Sequence, residues 1–338
     1  MTIDLSLYKP HSLAIINLMT TTIQSKLQAM LLGLAVGDAL GAPVEHGHTS
    51  GEITARANEL RHMHDEAQFK KGVWTDDTSM ALCLADSLLE CSGYDSWNVM
   101  DKYVQWMQEG YRSYFDYGEG IGIQTAGMLD EFAEGEALIH KNRERSDSAG
   151  NGTIMRLAPV VIAAHERTDI KTIQHLAKLS ARETHYSYEA EAATEIFAVL
   201  LYNAIHEQDK QRIVDVAKYS SGQYYDSALA KLLPLPDIGR LNDRQGYVIY
   251  TLQIALWGFL NYDTFEDGMI AVMCLGGDVD TTMAVYGQLA GAYYGREAIP
   301  EEWQRDVYLG DEIIELADKL AAMKKCPVLH TRFEEDIA

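Results

Sequence analysis

Two short acidic clusters are the places where this sequence could do chemistry. The first is Thr75-Asp76-Asp77-Thr78; the second, far downstream, is Asp278-Val279-Asp280-Thr281. Each offers two carboxylates beside a hydroxyl, the oxygen set that a hard divalent cation such as magnesium prefers. Together the four carboxylates carry a charge that two divalent ions would balance. Buried side by side without cations, they would repel one another and take up protons. The two clusters therefore make most sense as halves of one dinuclear site, provided the fold brings them together. Taken singly, each is an ordinary helix cap. Gly276-Gly277 strengthens the second, because glycine lets backbone approach a site closely.

Two further segments stand beside them. Gly150-Asn151-Gly152-Thr153, followed by Ile154-Met155-Arg156, has the form of a glycine-rich turn running into a helix. The free N–H groups of such a turn can cradle a phosphate, although Asn-Gly is also a plain turn. Gly37-Asp38-Ala39-Leu40-Gly41-Ala42-Pro43-Val44-Glu45 ends a helix and delivers Glu45 to a loop.

The elements that must position these groups are helices. Apolar residues recur at helical spacing over Gln24 to Leu40, Thr78 to Leu89, Tyr188 to Ile205, Tyr247 to Leu260 and Thr282 to Tyr294. Strand-like alternation is scarce and no βαβ rhythm appears, so the fold class expected is all-α. Both acidic clusters fall at helix N-termini. There, Asp and Thr side chains can accept free N–H groups, and the helix dipole offsets part of the carboxylate repulsion. Gly33 and Gly37, and again Gly287 and Gly291, are spaced to let two helices approach closely. Loops are expected at residues 44–74, 109–123, 140–153 and 219–246. The chain divides into an N-terminal extension (1–24), one helical domain (25–324) and a polar tail (325–338).

Composition narrows the partners. With 50 acidic residues against 28 basic and a net charge of −22, the chain repels nucleic acid and anionic membrane. Four cysteines, none in a Cys-x-x-Cys pair, suit a reducing, cytoplasmic compartment and no zinc site. No stretch approaches the roughly 20 apolar residues that span a bilayer. The histidines at 46, 48, 62 and 64 read as loop residues rather than a transition-metal site.

Taken in order, the motifs resemble the ADP-ribosylglycohydrolase family. They are Gly33-x-x-x-Gly37-Asp38-Ala39-Leu40-Gly41, Thr75-Asp76-Asp77-Thr78, Gly150-Asn151-Gly152 to Arg156, Thr184-His185, Gly246-Tyr247-Val248 and Gly276-Gly277-Asp278-x-Asp280-Thr281. The resemblance runs from about residue 25 to about residue 296. It implies a compact all-α domain and two magnesium (or manganese) ions, held by Thr75, Asp76, Asp77, Asp278, Asp280 and Thr281. It places Glu45 at the metal edge, with Asp76, Asp77 and Glu45 as the groups that activate water. Asn151 and Gly152 would hold the diphosphate or ribose, His185 the distal ribose, and Tyr247 the adenine. The implied substrate is a protein carrying ADP-ribose on a side chain, arginine being the expected linkage. The sequence departs from the family pattern at Cys274, at Tyr250 and at Gly120, where an acidic residue is usual; Glu119 stands next to it. A second reading makes the chain an immunity protein. In it the N-terminal arm, with anchors Tyr8, Leu13, Ile15 and Ile16, blocks an ADP-ribosyltransferase toxin.

Overall fold

A computed structural model describes residues 21–136, 138–140, 143–166, 169–220, 224–237 and 246–336. The arm residues Tyr8, Leu13, Ile15 and Ile16 lie outside them. Fifteen α-helices account for most of the described chain: α1 (Ile23–Glu45), α2 (Ser50–Leu60), α3 (Asp76–Cys91), α4 (Ser96–Glu109), α5 (Ile123–Ala133), α6 (Ala158–Ala164), α7 (Ile170–Arg182), α8 (Tyr188–His206), α9 (Lys210–Ala217), α10 (Tyr225–Leu232), α11 (Val248–Asn261), α12 (Phe265–Met273), α13 (Val279–Tyr294), α14 (Glu301–Asp306) and α15 (Gly310–Ala321). Two short parallel strands, β1 (Tyr94–Asp95) and β2 (Val328–His330), complete it. The all-α expectation holds.

The centre of the molecule is the crossing of α1 and α13, and glycine makes it possible. A Cβ on Gly33 would lie 2.4 Å from the Gly287 carbonyl oxygen, one on Gly37 2.2 Å from that of Met283, and one on Gly41 2.4 Å from the Asp280 Cα. The two backbones touch, closer than the ~8–10 Å axial spacing of ordinary helix pairs allows. A glycine inside a helix costs ~1 kcal/mol relative to alanine. What the seam provides is position: it runs toward the start of α13 and sets Asp38 and Glu45 of α1 beside Asp280.

Helix α1 departs from expectation twice. It is long and apolar enough to cross a bilayer by length and composition, which the sequence reading did not anticipate. Its most apolar window is 89% buried within the helical body, so that apolar surface is spent on packing. It also runs five residues past Leu40, through Pro43, so that Glu45 is its last helical residue rather than a loop residue.

Two loops expected from the sequence hold helices. Helix α2 sits inside 44–74, opened by a capping box in which Thr49 and Glu52 satisfy each other's backbone N–H groups. Helix α10 sits inside 219–246. Both are short and only one side of each is buried, so their apolar periodicity is thin. Residues 325–336, polar in composition, are built into the body. Phe333 and Arg332 are buried, and Arg332 donates to Glu183 through Nε (2.7 Å to Oε2) and through its other nitrogen to the Glu183 carbonyl (2.7 Å). All four cysteines are free, as expected.

Candidate metal centre and ligand cavity

The first acidic cluster opens α3, but its own side chains do not cap that helix. Thr75, at the N-cap, makes no capping bond. Asp38 of α1 does the work from across the core. Its Oδ1 accepts the Thr75 N–H and hydroxyl, both at 2.9 Å; its Oδ2 accepts the Thr78 N–H at 2.9 Å and hydroxyl at 2.7 Å. Four donors occupy the acceptor sites of this carboxylate, so Asp38 anchors the cluster. Asp76 and Asp77 are thereby left free of capping duty.

The second cluster opens α13 in the same manner. Asp278 is the N-cap and makes no capping bond. It follows Gly276 and Gly277, both at positive φ (+70° and +86°), a turn that side-chain-bearing residues adopt only with strain. Asn151, in the 3₁₀ turn Asn151–Thr153, donates its side-chain amide to Asp278 Oδ2 at 2.8 Å and to Thr251 at 3.0 Å. Thr281 donates to Asp77 Oδ2 at 3.4 Å, and the Thr75 hydroxyl oxygen lies 3.5 Å from Asp280 Oδ2, so the two clusters meet directly.

Where they meet, oxygens crowd. Asp38, Asp77 and Asp280 each bring a carboxylate oxygen within 4.8 Å of the others; so do Glu45, Asp278 and Asp280. Asp280 is common to both groups. Burial, and then neighbouring carboxylates, push Asp76, Asp77 and Asp280 well above the usual carboxylate range. Burial and then Asp278 push Glu45 up to about 7. Burial also raises Asp38, against the pull of its four hydrogen bonds. Asp77 Oδ1 is buried with no hydrogen-bond partner, a costly state for a lone carboxylate oxygen. This donor set fits a divalent cation: hard oxygens, excess negative charge and an orphaned ligand atom.

Above the cluster opens a cavity of about 790 Å³. Thr75, Asp76, Glu45, Asp278, Asp280 and Thr281 lie at its base, and Asn151, Gly152 and His185 along one wall. No lysine or arginine is among its described lining residues. Asp77 lies buried beneath it. The wall carries a hydrogen-bond relay. Arg156 donates to the Thr184 hydroxyl at 2.6 Å, to the Gly152 carbonyl at 2.5 Å and to the Ser180 carbonyl at 3.1 Å. The Thr184 hydroxyl lies 2.9 Å from His185 Nδ1, and its proton is free to be donated there. In that arrangement the His185 proton sits on Nε2, on the side of Gly150 and Gly152. Burial and the nearby Arg156 charge pull His185 down to about 3, so the ring is a neutral donor at ordinary pH.

Tyr247 follows Gly246 of the cavity wall, and its hydroxyl donates to Glu189 at 3.0 Å. One segment differs from expectation. The segment Gly150-Asn151-Gly152-Thr153 is a three-residue 3₁₀ turn, and the helix that follows begins only at Ala158. It works chiefly by holding Asp278 and bracketing His185. Sequence reasoning missed the anchoring role of Asp38. It also missed why position 120 is glycine: φ there is +84°, and a Cβ would stand 2.3 Å from Asp76 Oδ1. The backbone of Gly120 lies directly against a carboxylate of the cluster, so an ordinary side chain would displace one or the other.

Comparison with known proteins places this architecture. The family model described as ADP-ribosylglycohydrolase matches residues 19–327. The ADP-ribosylarginine hydrolase Tri1 of Pseudomonas putida is 30% identical over 309 residues, 87% of this chain and 77% of that protein. The ADP-ribosyl-[dinitrogen reductase] glycohydrolase of Rhodospirillum rubrum is 29% identical over 323 residues, 89% and 97% of the two chains. A solved structure, titled an ADP-ribosylglycohydrolase-related protein complex, superposes with a TM-score of 0.71 at 36% identity, covering 90% of this chain and 99% of that one. With the carboxylate cluster, the cavity above it and these likenesses over most of its length, the chain belongs to the ADP-ribosylglycohydrolase family and is an ADP-ribosyl hydrolase.

Proposed function

We propose that this enzyme hydrolyses the N-glycosidic bond between ADP-ribose and an arginine side chain of a modified protein, using two divalent cations, magnesium or manganese. The observation that carries it is the composition of the cavity. It has room for a nucleotide-sized ligand, five carboxylates at or beneath its base, and no lysine or arginine among its described lining residues. A ligand bearing a diphosphate enters such a site only once cations have offset the carboxylates. The arginine linkage draws its support from the relatives named ADP-ribosylarginine hydrolases, in Pseudomonas putida and Serratia proteamaculans, at 30% and 29% identity. Four free cysteines suit action in a reducing, cytoplasmic compartment.

Thr75, Asp76, Asp77, Asp278, Asp280 and Thr281 would hold the cations, with Glu45 at their edge. Cations bound there supply charge neutralisation, orientation of the proximal ribose and Lewis acidity. The protein does the rest. Asp38 fixes Thr75, and Asn151 fixes Asp278. His185 donates from Nε2 to a sugar or phosphate oxygen. A carboxylate of Glu45 or Asp76 takes the proton of the attacking water as the C1″–N bond breaks through an oxocarbenium-like state. The departing neutral guanidine takes up that proton to leave as guanidinium. Asp77, buried beneath the cavity, acts from behind as a cation ligand. Glu119, in the cavity lining beside Gly120, offers a negative charge to the guanidinium of the target. The test is release of ADP-ribose from ADP-ribosylarginine protein, with a serine-linked substrate run alongside. Release from the arginine substrate alone supports the reading. Release from the serine substrate alone overturns the linkage.

A further inference from the structure

The rim of the cavity carries a feature that the hydrolytic centre does not use. Residues 110–122 connect α4 to α5; Tyr111, Phe115 and Ile121 of this segment pack on the core, while Tyr114 and Tyr117 are exposed. Ile123, the first residue of α5, is 94% exposed, the most exposed large apolar side chain among the described residues; Tyr117 is 52% and Tyr114 43% exposed. Ile121 and Ile123 border the cavity mouth. Scattered single exposures of this kind are ordinary on a protein surface. Here they fall together on one loop, and that loop touches the carboxylate cluster.

The loop is also held still. The Gly118 N–H donates to the Met107 carbonyl at 3.3 Å, and a Cβ on Gly118 would meet the Met107 Cα at 3.0 Å. At Gly120 the backbone rests on Asp76. Phe115 packs edge-on against Phe69 with ring centroids 6.0 Å apart, and Gln68 donates to Glu119 at 3.4 Å. Pinned on both sides, the segment packs Ile121 on the core and leaves Ile123 facing solvent at the cavity mouth.

We infer that this rim is the docking surface for the polypeptide that carries the ADP-ribose, and that it prefers an apolar residue beside the modified side chain. The inference rests on the hydrolase reading above. Its occupant follows from continuity with the cavity. A bond broken beside Asp76 lies next to Gly120, so the side chain that leaves must pass over residues 120–123 on its way to its own backbone. Ile123, at the end of this pinned segment, gives an apolar neighbour something to bury against, at little ordering cost.

The test uses three substrates: free ADP-ribosylarginine, an ADP-ribosylarginine peptide flanked by leucines, and the same peptide flanked by serines. The full-length enzyme should cleave the leucine peptide with a kcat/KM about tenfold above that of the serine peptide, the scale of burying one aliphatic side chain. Ile123→Ser should erase that preference by lowering the leucine peptide to the level of the serine peptide, with any change on free ADP-ribosylarginine shared equally by the serine peptide. Ile123→Leu should keep the preference. Equal rates for the two peptides in the unmodified enzyme, or an equal loss on all three substrates in Ile123→Ser, would overturn the docking inference while leaving the hydrolase reading in place. If none of the three is cleaved, the arginine reading fails, and the docking inference with it.

Discussion

The floor of the cavity and its rim are held in position by different means. At the floor, α1, α3 and α13 converge: α1 and α13 pack backbone to backbone, Gly33 on Gly287, Gly37 on Met283 and Gly41 on Asp280, and Asp38 of α1 holds the start of α3 through Thr75 and Thr78. Charge there is concentrated, buried and unfavourable until a cation arrives. At the rim, a loop is pinned at Gly118 and Gly120, presents Tyr114, Tyr117 and Ile123 to solvent, and sets the single carboxylate of Glu119 in the cavity lining. The contrast separates two tasks. Bond breaking needs groups that cannot move, and the folded core supplies them. Choice of protein target needs surface that can vary without disturbing the core.

The largest effect should come from removing floor charge. Asp77→Ala, or Asp278→Ala, should abolish turnover and weaken cation binding, read by hydrolysis and by titration calorimetry. Full activity in either variant would sink the assignment. Next is the single point where floor and rim touch. Gly120→Ala places a methyl 2.3 Å from Asp76 Oδ1 at a φ of +84°. It should lower kcat about 100-fold, the scale of roughly 1 Å of misplacement at a reacting centre. Gly122→Ala, where a Cβ meets nothing within 4 Å, should be neutral. Equal behaviour of the two would mean that the contact with Asp76 does not matter.

A third, smaller effect is one of pH. Asp38, Asp76, Asp77, Asp280 and Glu45 all have folded pKa values above their unfolded ones, Glu45 about 7. Their contribution to stability is therefore present below the ordinary carboxylate range and lost as pH rises through the raised values. Chelated enzyme should gain melting temperature between about pH 7 and about pH 5, relative to cation-loaded enzyme. Parallel curves for the two forms would argue that the floor holds no cation. The smallest effect belongs to the wall. Thr184→Val removes the hydroxyl that directs the His185 proton to Nε2. KM should rise about tenfold with kcat little changed, the worth of one hydrogen bond. An unchanged KM would show that His185 does not donate to the ligand.

Much of the floor was legible in the sequence because its chemistry is local. Thr75-Asp76-Asp77 and Asp278-Val279-Asp280-Thr281 announce oxygen ligands at helix starts, and the four-residue glycine spacing announces the close crossing that joins them. What stayed hidden were relations between distant residues. Asp38 looks like any acid within a helix until its four hydrogen bonds to Thr75 and Thr78 are seen. Gly120 looks like the loss of an acidic group, whereas the fold brings a carboxylate of another element against it. The rim was illegible for a different reason: residues 109–123 read as a loop, and only the fold shows that Ile123 opens α5 at the cavity mouth with its side chain exposed.

The most direct test of the account is cation dependence at the floor. Enzyme stripped by a chelator should neither bind ADP-ribose nor release it from ADP-ribosylarginine protein. Added magnesium or manganese should restore both, and Asp77→Ala should prevent the restoration. Undiminished release from fully chelated enzyme would contradict the two-cation reading at its root.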